Sequence, residues 1–273
     1  MARIYNVSSR KQSAFFSGLS VTSILIFCNL FFYIVSLFIL TTYGQSFFSN
    51  NIALNPNLII HGKSMWTFLT SMFSHTEFFH IFVNMFSLFF IGNFLEKIIG
   101  KKRFFLVYMA AGLIAGVFFV LSGLIFNDNL PGIGASGAIF GILGVLCVLV
   151  PNSKIYLIAG PLILIITQVV LNPFISLGFV SVFNIIINVL TFMMILSLFS
   201  FSEKMKKFAI PIKLPMWLLP FIAIIPLVVI DFFVDLPIGN SAHFGGLVVG
   251  LVYGFYLRYK FPNKTRMLSG HFS

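Results

Sequence analysis

The sequence predicts an all-α polytopic membrane protein, and three observations carry that reading. Only 8% of the 273 residues are charged while 59% are hydrophobic, where a soluble domain is about a quarter charged. Mean hydropathy is +1.05. Apolar stretches recur near 14–40, 78–95, 104–126, 136–150, 155–170, 175–200, 215–233 and 241–257, several of them near the roughly 20 residues that cross a hydrocarbon core. Together they describe one membrane domain over 1–273, with short basic termini and no soluble domain.

The stretches can be justified in order. The first follows Arg3, Arg10 and Lys11 but is too long for a signal peptide and precedes no small-residue cleavage site, so it reads as a retained helix. A polar-aromatic loop, 41–77, separates it from the second. The pair 155–170 and 175–200 is joined by the short connection "LNPF" (171–174). Cys28 and Cys147 fall inside predicted spans and read as small buried hydrophobes, not as a disulfide or metal pair.

Lys and Arg set the orientation. With a cytoplasmic N-terminus and alternating spans, every one of the 17 basic residues except Lys63 falls on the inner side. Both termini are then cytoplasmic. The same count requires 155–200 to be two spans, because one span would put the 204–213 cluster outside. The net charge of +11 is thus a charge facing anionic headgroups. Its basic residues punctuate the apolar runs and form no single stripe, so no nucleic-acid partner is expected.

The stretch "PGIGASGAIFGILGVLCVLV" (131–150) is too short to span. Fifteen residues from Ser136 to Val150 make about 22 Å of helix, against about 30 Å of hydrocarbon. Anchored at "PNSK" (151–154), its start lies within the bilayer's thickness. The preceding "NDNLPGIGA" (127–135) must then be buried in protein or line a wet cavity. Ser136 is expected there, at a helix N-terminus.

Polar groups at such depth suggest function. His80 and Asn84 in "HIFVN" are four apart and share a helix face. His243 opens the last span, in "SAHFGGLVVG" (241–250). The charge-derived orientation puts all of them at the level of Ser136. Serine and histidine at one depth suggest nucleophile and general base. The Ser136 N–H is one of the free first-turn donors, and His80 and Asn84 could add side-chain donors for an oxyanion. Gly134 and Gly137 permit close approach of a substrate backbone. Phe140, one turn after Ser136, could stack on the imidazole. Asp231 and Asp235 read as water-facing groups at a helix end. Gly246, Gly250 and Gly254 repeat every four residues, as do Gly137 and Gly141, and such faces let membrane helices approach closely. No cofactor is implied. His75, Glu77 and His80 offer no open three-ligand face for a metal. A transporter would need polar groups along a path across the membrane, whereas this cluster stops halfway.

These residues resemble the rhomboid family of intramembrane serine proteases. "GASGAIFG" (134–141) is similar to the family's nucleophile motif, "HIFVN" to its second-helix His-xxx-Asn, and "AHFGGLVVG" (242–250) to its final Ala-His-xx-Gly-xxx-Gly. The likeness extends over 73–104, including Glu96. It implies a six-helix core, about 14–150 and 215–257, with 155–200 as an extra helix pair inserted before the penultimate core helix. It also implies a Ser136–His243 dyad, an oxyanion side of His80 and Asn84, transmembrane protein substrates admitted laterally beside 215–233, and a site opening outward from the cell membrane. Where the family commonly has Trp-Arg, this chain has Trp66-Thr67, which removes any Arg-dependent bracing of the loop. Catalytically silent relatives that bind transmembrane clients are the alternative; they typically lack the serine or the histidine, and this chain has both.

Overall fold

The computed structural model describes residues 18–197, 202–231 and 239–271. Arg3, Arg10, Lys11 and Asp235 lie outside the described residues. The fold is helical throughout its core. Helix α1, Val21–Asn51, starts later and runs further than the predicted 14–40, because it continues beyond a break at Gly44 (φ 81°) into the following loop. Short helices α2 (Pro56–Ile60) and α3 (Thr67–Thr70) then punctuate the loop. Helix α4 (Phe78–Ser87), a π-helical turn (Leu88–Gly92) and α5 (Asn93–Ile99) make one continuous second span. It is followed by α6 (Lys101–Phe126) and the short α7 (Ser136–Leu149).

The chain between α7 and the last two core helices differs from the predicted pair of plain spans. "KIYLI" forms strand β1 (Lys154–Ile158), then come α8 (Ala159–Leu171), α9 (Leu177–Ser197) and α10 (Glu203–Phe208), and strand β2 (Pro211–Pro215) returns antiparallel to β1. The register Lys154↔Pro215 through Ile158↔Pro211 places the departure and return of the helix pair side by side. β-branched and aromatic residues in β1 favour a pleated ribbon, and the prolines of β2 sit at its two ends, where a missing donor costs least. Helix α8 is accordingly shorter than a span. The core resumes with α11 (Leu219–Asp231) and α12 (Asn240–Lys260), and a further helix, α13 (Pro262–His271), follows. By length and composition α1, the α4–α5 span, α6 and α9 can each cross a bilayer unaided.

Buried polar groups are satisfied where the fold is tied together. Glu96, 6% exposed, caps α1 from the end of the second span. One carboxylate oxygen accepts from the Val21 N–H at 2.9 Å, the other from the Thr22 N–H at 2.8 Å and the Thr22 hydroxyl at 2.7 Å. A carboxylate at a helix N-terminus meets orphan amides and the positive end of the dipole, which is why this acid can be buried. Cys147 is buried, its thiol 3.1 Å from the Met216 carbonyl, and Cys28 is half-buried; both are free thiols.

The centre of the molecule is α7, enclosed by α6 and α12. A Cβ added at Gly246 would collide with the Gly137 carbonyl, one at Gly250 with the Gly141 carbonyl, and one at Gly137 or Gly141 with Ala115 or Ala111 of α6. Backbone therefore meets backbone, and no side chain larger than hydrogen fits between α7 and α12. We predict that Gly250→Val, which must push the two helices apart, lowers stability by about 1–3 kcal/mol, the usual cost of overpacking. Thermal unfolding in detergent checks this; an unchanged midpoint would show that the seam can open without cost.

Candidate active site

The site begins with the descent into α7. Residues 127–135 are pinned to the preceding loop from two directions. Leu54 and Gly132 exchange both backbone hydrogen bonds at 2.9 Å, and the Gly134 N–H donates to the Ser71 carbonyl at 2.8 Å. The irregular backbone ahead of α7 is thereby paired with protein. The loop that does the pinning is itself tied to the end of α1. Ser64 Oγ donates to Asn50 O at 2.7 Å, the Trp66 indole to Asn51 O at 2.8 Å and Thr70 Oγ1 to Ile52 O at 2.8 Å. Thr67 is fully buried, and its hydroxyl closes a local turn on Ser64 O at 2.7 Å. The loop is braced by these side-chain-to-carbonyl bonds without an arginine.

Gly134 is required twice. Its φ of +127° is one that residues with a Cβ rarely adopt, and an added Cβ would lie 2.8 Å from His80 Cε1 and 2.9 Å from His80 Nε2. The His80 ring thus lies directly against the loop that delivers Ser136. Beyond it, Ser136 is the first residue of α7. Its Oγ is 2.8 Å from His243 Nε2. His243 lies in the first turn of α12 and is 8% exposed. The glycine seam that brings α7 against α12 sets this distance. Phe140 lies against the imidazole with ring centroids 4.5 Å apart and planes at 22°. His243 Nδ1 has no hydrogen-bond partner among the described residues.

On the opposite wall, the Asn84 amide donates to its own helix at His80 O (3.0 Å) and is 3.2 Å from His75 Nε2. His75 was not a site candidate in the sequence, where it is one of several loop histidines with no helical spacing to fix its face. It is fully buried, and its ring meets that of His80 edge-on at 4.9 Å. Burial, and then the neighbouring His80, hold its pKa down to about 3. A neutral His75 can accept from Asn84 and so orient the amide. His61, by contrast, is exposed and bonded to Asn57 O. Among the described residues no group of three His, Cys, Asp or Glu is placed to hold a metal.

The structure therefore gathers Ser136, His243, Phe140, Gly134, His80 and Asn84 around one helix start, with Gly137, Gly246 and Gly250 in the seam behind them. An all-α fold with several bilayer-length helices around such a serine–histidine pair defines a rhomboid-like polytopic membrane protein. The rhomboid domain matches residues 62–192 and 185–260, and the chain belongs to the rhomboid family. It is 40% identical over 105 residues to RHOMBOID-like protein 1 of Arabidopsis thaliana, covering 38% of this chain and 26% of that one. It is 34% identical over 128 residues to the rhomboid protease GluP of Bacillus subtilis (strain 168), covering 46% and 23%. It is also 33% identical over 104 residues to the inactive RHOMBOID-like protein 8 of Arabidopsis thaliana, covering 38% and 28%. The matched stretch spans about a quarter of the length of each of these relatives.

Gly134→Ala must displace either the 132–135 backbone or His80. We predict a stability loss of about 1–3 kcal/mol, the usual cost of a strained backbone position, and slower labelling of Ser136 by a fluorophosphonate probe. Labelling at the wild-type rate would show that the loop accepts a side chain.

Proposed function

We propose that the protein is an intramembrane serine endopeptidase that cleaves peptide bonds in or near transmembrane segments of membrane proteins. The observation that carries this is the 2.8 Å contact between Ser136 Oγ and His243 Nε2. Family membership alone leaves the question open, since both a protease and an inactive protein are among the relatives. For Nε2 to accept the serine proton, His243 must carry its own proton on Nδ1, where no carboxylate is bonded among the described residues. The reactive unit is thus a dyad, held by packing.

In the first half-reaction Ser136 Oγ bonds to the scissile carbonyl carbon as its proton passes to His243 Nε2. The carbonyl electrons move to oxygen. Collapse of the tetrahedral species re-forms the carbonyl, breaks the C–N bond, and sends the proton from His243 to the leaving amine. Water then enters, gives a proton to His243, and attacks the acyl-enzyme; the same proton returns to Ser136 Oγ as the acid leaves. Phe140 offers its π face to the imidazolium formed in each half. Ser136 N–H and His80 stabilise the oxyanion, and Asn84 joins them by exchanging its bond to His75. No cofactor takes part.

The protein is an integral membrane protein of several spans. We place its termini in the cytoplasm and the dyad toward the outside of the cell membrane, on the strength of the Lys and Arg distribution. The fold reads as a core of 14–150 and 215–257 with 155–200 inserted, and substrate segments reach Ser136 laterally beside α11.

Cleavage of a fluorescent transmembrane reporter in liposomes tests the reading. Ser136→Ala and His243→Ala should each reduce turnover roughly 10³-fold or more, with thermal unfolding unchanged. Reporter binding without turnover in the wild type would favour the catalytically silent alternative. A helical substrate hides its carbonyls in hydrogen bonds, so a scan of Gly and Pro around the cut should raise the rate, following their poor helix propensity. Indifference to that scan would exclude local unwinding as a requirement.

A further inference from the structure

The end of α7 and α12 remote from Ser136 carries two adjoining cavities that the proteolytic reading does not use. One, of about 490 Å³, opens between the C-terminal end of α7, α12 and α13, and its polar lining includes Arg258, Arg266, Asn152, Thr265 and Ser269. The other, of about 220 Å³, lies between α12 and the start of α11, walled by Trp217, Phe221, Leu251 and Phe255. The two share Val148, Pro151 and Arg258. A basic chamber thus continues into an apolar slot, with an arginine at the junction.

The arginines meet no counter-charge among the described residues. Neither Arg258 nor Arg266 has a carboxylate partner among the described residues, and no Asp or Glu lines either cavity. The chain has six acids. Glu96 is committed to α1. Glu77 and Asp128 belong to the loops at the Ser136 end, and Asp231 is the last residue of α11. At the basic end stand Lys101, Lys102, Arg103, Lys213, Arg258, Lys260, Lys264 and Arg266. No described residue supplies the two cavities with a negative charge, and guanidinium groups suit the oxygens of a phosphate.

We propose that this end binds one anionic phospholipid, its phosphate between Arg258 and Arg266 and an acyl chain in the slot beside α11. The phosphate accounts for the unpaired arginines. The adjoining slot accounts for an amphiphile over a free anion, because a soluble phosphate would leave the walls of Trp217 and Phe221 unfilled. The occupant also bridges α12, which carries His243, to α11.

Native mass spectrometry of the full chain in nonionic detergent tests this, with palmitoyl-oleoyl phosphatidylglycerol, palmitoyl-oleoyl phosphatidylcholine and inorganic phosphate as probes. One phosphatidylglycerol should be retained at least tenfold more tightly than phosphatidylcholine. Arg258→Gln/Arg266→Gln should abolish that preference, Arg258→Lys/Arg266→Lys should keep most of it, and Lys97→Gln/Lys102→Gln should leave it intact. Thermal unfolding in the same detergent identifies any variant that does not fold, and the lysine pair then carries the comparison against phosphatidylcholine. Equal retention of the two lipids by wild type, or an unaltered preference in the folded glutamine pair, overturns the site. Displacement of phosphatidylglycerol by millimolar inorganic phosphate overturns the lipid assignment in favour of a free-anion site.

Discussion

The rest of the structure depends on backbone meeting backbone between α7 and α12. Gly246 faces the Gly137 carbonyl and Gly250 the Gly141 carbonyl, with no room for a Cβ at either point. In a membrane the lipid tails are as apolar as the helices, so association has to come from close packing and polar contacts. A seam of hydrogen atoms gives the closest packing available. It also has a directional consequence: Ser136 sits one position before Gly137 and His243 three before Gly246, so the residues that close the seam place the reactive pair. The 2.8 Å separation of Oγ and Nε2 follows from the same contact that holds the bundle together.

A seam alone would leave the start of α7 unsupported, because the backbone ahead of it is irregular. The loop from 52 to 77 supplies that support through Leu54 and Ser71, and is itself fastened to the end of α1 through Ser64, Trp66 and Thr70. Helix α1 is fastened in turn by Glu96 at its other end. The supports run in series from a buried carboxylate to the loop that delivers Ser136. The link at Glu96 satisfies a carboxylate that would be expensive to bury alone.

Much of the candidate site was legible because one-dimensional signals agreed on depth. Ser136, His80 and His243 each fall in the first turn of a helix, with Asn84 one turn beyond His80, and the basic residues give an independent expectation of which helix ends lie together. The small-residue spacings on two helices then select the faces. His75 was not legible: its place under Asn84 depends on how a loop folds back, and neither periodicity nor charge reports that. Strand β1 was missed because "KIYLI" continues the apolar run into α8, and its strand character depends on pairing with β2 more than fifty residues later. The extension of α1 past Gly44 was hidden by polar residues that suit a helix already leaving the bilayer.

The β1–β2 ribbon explains how α8 and α9 can lie between α7 and α11 without disturbing their contact. Paired with Lys154 opposite Pro215, the chain comes back to the level from which it left, and Met216 N–H bonds Ser153 O at 2.9 Å to restart the core beside the end of α7. The antiparallel register returns the chain beside its point of departure, so α11 starts from the end of α7 and the helices between need not pack tightly to be harmless. Its contacts with the core include one between Phe192 of α9 and Phe82 of α4, with ring centroids 5.7 Å apart. Phe82 lies two residues after His80 and two before Asn84, on the side of α4 turned away from the reactive groups. Helix α9 thus leans on the back of the helix that carries His80 and Asn84, while their geometry is fixed from the front by Gly134 and His75.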